Sequence, residues 1–200
     1  IKYEKKPKEN FLITQREFLL KLGKLAFDHL QKNSLIFYEE ELEAYGIDIK
    51  EASIHSGFCT SVLREEDVFS HRKVFFFVHL TIQEFFAALY VYDCFMNKKT
   101  TELNDFLKLK DKEPTFLELL KVTVEVVLEK KNGHLVYFLR FLLGFLVEAN
   151  VTVLQGLLTL PDPSQDTNKK ILTYLKSIRR KTISPEGNMI LFRAMVEMRD

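Results

Sequence analysis

Val74-Phe75-Phe76-Phe77-Val78-His79-Leu80-Thr81-Ile82-Gln83-Glu84-Phe85-Phe86-Ala87-Ala88-Leu89-Tyr90 changes period near its middle. Val74 to Val78 is a β-branched and aromatic run, the composition of a strand. Thr81-Ile82-Gln83-Glu84 then fits a capping box. In that arrangement a hydroxyl, and a carboxylate three residues on, satisfy two backbone N–H groups that a helix start leaves unpaired. Phe85, Phe86, Leu89, Tyr92 and Phe95 follow at helical spacing. A strand that leads straight into an amphipathic helix is the element from which the rest can be placed.

Upstream, Cys59 to Leu63 is a second strand-like run, separated from Val74 by the polar stretch Arg64 to Lys73. The two runs predict a β-hairpin with a long tip. Before it, residues 47–57 suggest a short helix around Ala52 and Ile54, Glu39 to Tyr45 a small acidic helix stopped by Gly46, and Leu35 to Tyr38 a short strand. Thr14 and Glu17 form another capping-box pair. The helix expected from there carries Phe18, Leu22, Leu25, Ala26, His29 and Leu30, and ends at Asn33-Ser34. Helices, a short strand, a hairpin, then a helix form the pattern of a winged-helix unit.

After about residue 97 the strand signals vanish. Residues 97–101 read as a loop and Leu103 to Leu109 as a short helix. Pro114 precedes a helix over Phe116 to Lys131, stopped by Asn132-Gly133. Leu135 to Val147 is almost wholly apolar, which predicts a central helix buried on most sides. Val151 to Leu160 reads as a shorter helix before Pro161-Asp162-Pro163, and Ile171, Tyr174, Leu175 and Ile178 mark another. Ser184-Pro185-Glu186 has the form of an N-cap, a helix-opening proline and an acidic first turn. The expected fold class is therefore mainly α: a winged-helix domain with a small β-hairpin, followed by an all-helical domain. The boundaries read as a linker at 1–10, the winged helix at 11–96 and the helical domain at 97–200.

Composition agrees. In 200 residues there are 18 Phe, no Trp, and only 7 Gly and 5 Pro, too few chain breakers for a turn-rich β-sandwich. Apolar types make up 46% and charged types 28%, which excludes wholesale disorder. The net charge of +1 gives no global attraction for nucleic acid or an anionic membrane. Two cysteines cannot build a disulfide framework, so a reducing compartment is expected. The polar start, Lys2 to Glu9, has no apolar core of a signal peptide. The most apolar window is interrupted by Arg140 and is too short to span a bilayer. The chain opens at Ile1 without a Met and runs into its last helix without a stop signal, so it reads as a piece of a longer polypeptide.

Chemical motifs are sparse. There is no Gly-x-x-x-x-Gly-Lys-Ser/Thr loop and no Gly-x-Gly-x-x-Gly turn, so this piece is not expected to act as an NTPase, or any other enzyme, alone. His29, His55, His71, His79, His134, Cys59 and Cys94 show neither C-x-x-C nor H-x-x-x-H spacing, and no metal site is expected. Cys59 and Cys94 lie in apolar runs and read as small buried residues rather than nucleophiles. Asn150-Val151-Thr152 matches a glycosylation sequon, relevant only to a secreted chain. Lys169-Lys170 and Arg179-Arg180-Lys181 read as solvated helix ends. DNA binding is disfavoured by charge: from Glu39 to Leu63, where a recognition helix would lie, six acids against Lys50 leave −5.

His79 admits two readings. Alternation along Val74 to His79 puts it on the face of Phe75 and Phe77, as a core histidine. It also lies two residues before the Thr81 cap, at the positive end of a helix, where an imidazole N–H can donate to a phosphate oxygen. Glu84, capping the same end, would partly compete.

The run from Val74 to Tyr90, and above all His-Leu-Thr-Ile-Gln-Glu-Phe-Phe at 79–86, resembles the NLR family of intracellular innate-immune receptors, at the end of the winged helix in their NACHT module. Phe18 to Phe27 with Leu35 to Glu40 is similar to the start of that domain. Tyr137 to Gly144 is similar to the helical domain that follows, closest to the members expanded in bony fishes. The resemblance implies a cytoplasmic switch of the STAND type. In that family an ADP-bound core is held closed by the winged-helix histidine corresponding to His79, which contacts the β-phosphate. Exchange for ATP frees the winged helix, helical domain and leucine-rich repeats to rotate and permits homo-oligomerisation. The resemblance further implies that ADP or ATP is held mainly by an upstream core, with weak ATPase activity in the complete protein. The implied partners are thus the NACHT core, the repeats and further copies of the chain, with no nucleic acid and no membrane span. The alternatives are a helical interaction scaffold using Phe-rich faces, with His79 merely structural, and a winged-helix DNA binder.

Overall fold

The computed structural model describes residues 6–48, 63–68, 72–107, 114–130, 133–147, 150, 154, 157–158, 165–181 and 184–198. The backbone divides into two compact units, Ile1–Tyr90 and Val91–Asp200.

The first unit opens with α1, Lys6–Gln31. It begins eight residues before the expected Thr14 cap; Pro7 in the first turn is tolerated because its missing N–H has no intrahelical acceptor there. Residues 36–38 form β1 and 39–44 form α2. Tyr38 N–H donates to the Glu41 carboxylate at 2.9 Å, capping α2, and Gly46 ends the segment at φ +68°, where only glycine sits without strain. The helix expected at 47–57 falls outside the described residues from 49 onward.

Strands β2, Leu63–Val68, and β3, Arg72–Phe77, pair antiparallel, with Leu63 opposite Phe77 and Val68 opposite Arg72. This corrects the expected hairpin: residues 64–68 and 72–73 of the polar stretch assigned to a long tip are strand. β2 is an edge strand, and charged side chains on an edge both face water and discourage pairing with other chains. Lys73 and Glu65 form an exposed ion pair at 2.8 Å across the pair. β1 adds to the other side of β3, giving the order β1-β3-β2 with Phe37 opposite Phe75.

One face of this small sheet supplies the core. Phe37 is fully buried, stacks on Phe75 at 6.4 Å and meets Phe77 edge-on at 5.8 Å. Phe77 in turn contacts Phe86 of α3, Leu80–Met96. From α1 the buried residues Leu22, Leu25, Ala26, Phe27 and Leu30 close the core, with Phe27 6.0 Å from Tyr90. At Gly23 the two helices approach so closely that a Cβ would lie 2.7 Å from the Phe86 carbonyl oxygen and 2.8 Å from the Tyr90 Cβ.

The second unit is helical among the described residues, apart from an isolated bridge at Leu158. After a 3-10 turn at Thr100–Leu103 come α4, Asn104–Leu107; α5, Phe116–Glu129; α6, Val136–Gly144; α7, Gln165–Lys181; and α8, Pro185–Glu197. The central apolar helix is nine residues rather than thirteen: Leu135 takes a left-handed φ of 67° before it. At its end Asn150 Nδ2 donates to the Gly144 carbonyl at 2.8 Å. It is buried on most sides, as expected. The Val151–Leu160 segment lies largely outside the described residues. Ser184 caps α8 by accepting from Gly187 N–H at 3.1 Å, with Pro185 opening the helix.

Arg140, which breaks the apolar run of α6, pairs through both Nε and Nη2 with Glu197 of α8; each partner is 30% exposed. A double-mutant cycle on Arg140→Ala and Glu197→Ala should return a coupling of about 0.5–1 kcal/mol. Strictly additive losses would mean the pair contributes nothing to the bundle.

Candidate functional site

His79 sits in the bend between β3 and α3. Helix α3 starts at Leu80, one residue ahead of the expected Thr81 cap. The His79 carbonyl is the first acceptor of the helix, receiving Ile82 N–H at 3.0 Å and Gln83 N–H at 3.3 Å. His79 is therefore itself at the cap position, and its side chain is exposed. The core reading is overturned: strand alternation ends at Phe77, and the bend turns the ring away from the phenyl cluster. Leu80 beside it is also exposed, at 42%.

The electrostatic setting suits an anion. Seventeen residues of aligned peptide dipole end beside this imidazole, and the first turn holds no acid. Glu84, expected to compete there, is 1% exposed and lies in the second turn. An imidazole N–H at a helix N-terminus is the kind of donor that receives a phosphate oxygen. The position can thus offer a donor to a phosphate group, while the sequence holds no glycine-rich phosphate loop.

What holds the bend in place was not legible from spacing. Gln83 is 1% exposed, and its Nε2 donates to the Ser34 carbonyl at 3.4 Å. Ser34 in turn uses its hydroxyl on the Ile36 carbonyl at 2.9 Å. A buried amide therefore ties the start of α3 to the turn between α1 and β1. The sequence signal was present, since a glutamine among Phe residues in a buried helix must satisfy its amide.

Among the described residues, the second histidine of this unit is buried. His29 is 3% exposed, with its ring edge-on to Phe37 at 5.5 Å and Nε2 3.5 Å from the Glu41 carboxylate. Its buried Nδ1 has no hydrogen-bond partner among the described residues. Burial holds its pKa below the usual histidine value, against the upward pull of Glu41 and Asp28 and with a smaller push from Lys32. As pH falls through the ordinary histidine range, the unfolded chain gains a proton that the folded one resists, so stability present at neutral pH is lost on the acid side. Amide-exchange protection of α1 should fall as pH drops through the ordinary histidine value of about 6.5, and fall less in His29→Gln. Equal pH slopes in the two proteins would assign the effect elsewhere.

Cys94 is buried at 2% exposure; Cys59 lies outside the described residues. Among the described residues no three His, Cys, Asp or Glu side chains converge as metal ligands, and no helix is long and apolar enough to cross a membrane. Among the described phenylalanines, Phe27, Phe37, Phe75, Phe77, Phe86, Phe106, Phe138 and Phe145 are core, whereas Phe192 is 50% exposed.

Comparison with known proteins covers both units. Residues 79–200 match the model of the NLRC4 helical domain HD2 family, and residues 17–77 match that of the NOD2 winged helix domain. Protein NLRC3 of Mus musculus is 30% identical over 163 residues, 80% of this chain and 15% of the relative. The human NACHT, LRR and PYD domains-containing protein 3 is 26% identical over 182 residues, 90% of this chain and 16% of the relative. The chain thus spans about one-sixth of the length of these curated relatives.

Proposed function

We propose a nucleotide-state latch for this chain, which belongs to the NLR family and contributes that family's winged-helix domain and the helical domain after it. The latch residue is His79, donating an imidazole N–H to the phosphate of an ADP held mainly by an upstream NACHT core. The single observation that carries the reading is the exposure of this ring at the acid-free N-terminus of α3. A residue there is free to meet a ligand that another domain presents.

Bound ADP supplies a diphosphate anion whose charge a donor at this helix end stabilises. His79 holds the winged helix against the nucleotide-loaded core, and Gln83 positions the bend that carries it. Exchange for ATP changes the phosphate that the ring meets, releasing the winged helix and helical domain to rotate and allowing homo-oligomerisation with the repeats. This places the protein in a cytoplasmic signalling role, with hydrolysis, where it occurs, performed by the core and not by this segment. A scaffold without nucleotide contact makes the ring dispensable. ADP affinity measured on the complete NACHT-containing protein, with and without His79→Ala, separates the two: the latch requires weaker ADP retention in the variant, and equal affinities reject it.

A further inference from the structure

The outer side of α8 carries a row of apolar residues with cationic margins. Its inner side, Gly187, Ile190, Leu191, Ala194 and Met195, is buried in the second unit. Opposite lie Pro185, Met189, Phe192 and Val196, spaced so that they form one line about 16 Å long on a helix rising about 1.5 Å per residue. Met189, Phe192 and Val196 are 52%, 50% and 52% exposed. A solvated helix face is normally polar. One exposed apolar side chain needs no explanation, but three in register do.

The margins say what fits. On one side the Arg179 guanidinium of α7 lies over the Phe192 ring, 5.8 Å from its centroid. On the other, Arg193 is exposed, one residue along α8. The acid at the end of the helix, Glu197, is already engaged by Arg140, which leaves Glu186 as the exposed carboxylate at the opposite end. Aromatic, methionine and arginine side chains together are the composition enriched at protein interfaces.

We infer that the Pro185–Val196 row of α8 is a docking surface for an amphipathic helix whose apolar ridge is flanked by carboxylates. The apolar ridge covers Met189, Phe192 and Val196, while its acids pair with Arg179 and Arg193. A contact this small lies below the usual size of a stable interface, so a free peptide binds it weakly and a tethered one far better. Charge, rather than area, sets the choice of partner.

The test uses the 200-residue chain and two synthetic helical peptides of about four turns. Both carry Leu at i, i+4, i+7 and i+11; one has Glu on both margins and the other Lys. In anisotropy titrations the Glu peptide should bind at least about tenfold tighter, a difference of about 1.4 kcal/mol. Phe192→Ser should remove binding of both. The double change Arg179→Glu and Arg193→Glu should invert the preference, a gain for the Lys peptide that misfolding cannot imitate. Equal affinities, binding that survives Phe192→Ser, or no binding at all would overturn the assignment. So would a concentration-dependent dimer of the chain abolished by Phe192→Ser, which would make a second copy the occupant.

Discussion

Gly23→Ala is expected to lower the melting temperature of the winged-helix unit by roughly 5–15 °C, the equivalent of roughly 1–2 kcal/mol in a domain of this size. The added methyl would stand 2.7 Å from the Phe86 carbonyl oxygen and 2.8 Å from the Tyr90 Cβ. Both are fixed to the backbone of α3, so no flexible side chain can swing aside and the helices must separate. Overpacking of this kind costs about 1–3 kcal/mol, from which the better helix propensity of alanine returns up to about 1 kcal/mol. Gly144→Ala is the control. There, among the described residues, the new Cβ would meet only Asn150 Nδ2 at 3.6 Å, an ordinary contact, and a change within about 0.5 kcal/mol is expected. Thermal denaturation of both variants decides it: an unaltered Gly23→Ala protein would mean the α1–α3 contact is looser than described.

The second large effect concerns ligand rather than fold. On the proposed latch, His79→Ala in the complete receptor removes one hydrogen bond to a charged phosphate, a loss of roughly 1.5–3 kcal/mol. ADP release should accelerate roughly ten- to hundred-fold, and basal signalling should rise. Because the ring is exposed, the same change should leave stability within about 0.5 kcal/mol. His79→Gln, which keeps an N–H donor, should recover part of the lost retention. A structural role would move stability and leave the off-rate alone, so the two measurements together assign the residue. Unchanged release with a silent receptor would discard the latch.

Much of this architecture could be read before the structure, wherever local chemistry and tertiary packing agree. Ser184-Pro185-Glu186 opens a helix because the hydroxyl, the proline and the acid each suit a helix start, and the structure uses them so. The Phe75 and Phe77 alternation pointed to the sheet face that became the core. The misses have physical causes. Arg64 to Asp67 reads as a tip because polar runs usually do, yet pairing with β3 makes it an edge strand whose polarity is an asset. Thr14 and Glu17 match a cap, but an isolated cap signal is too weak to interrupt a helix already running from Lys6. The Thr115 and Glu118 capping box of the structure is also written in the sequence, next to the more conspicuous Pro114.

Site residues divide in the same way. His79 could be singled out because it precedes a helix start, but spacing favoured the core for it; His29, which spacing set on the apolar face of α1, is the histidine found buried. Alternation stops when the strand stops, and only the bend at residues 78–79 shows where that is. Gly23 reads as a weak point in a helix; its role as a notch for α3 depends on a partner sixty residues away that no local pattern encodes.

The account stands most directly on the distance from the His79 ring to nucleotide in a structure of the intact polypeptide with ADP bound. An imidazole nitrogen within about 2.7–3.2 Å of a β-phosphate oxygen is the predicted result. A ring facing solvent or protein, with the diphosphate served wholly by other residues, would contradict it.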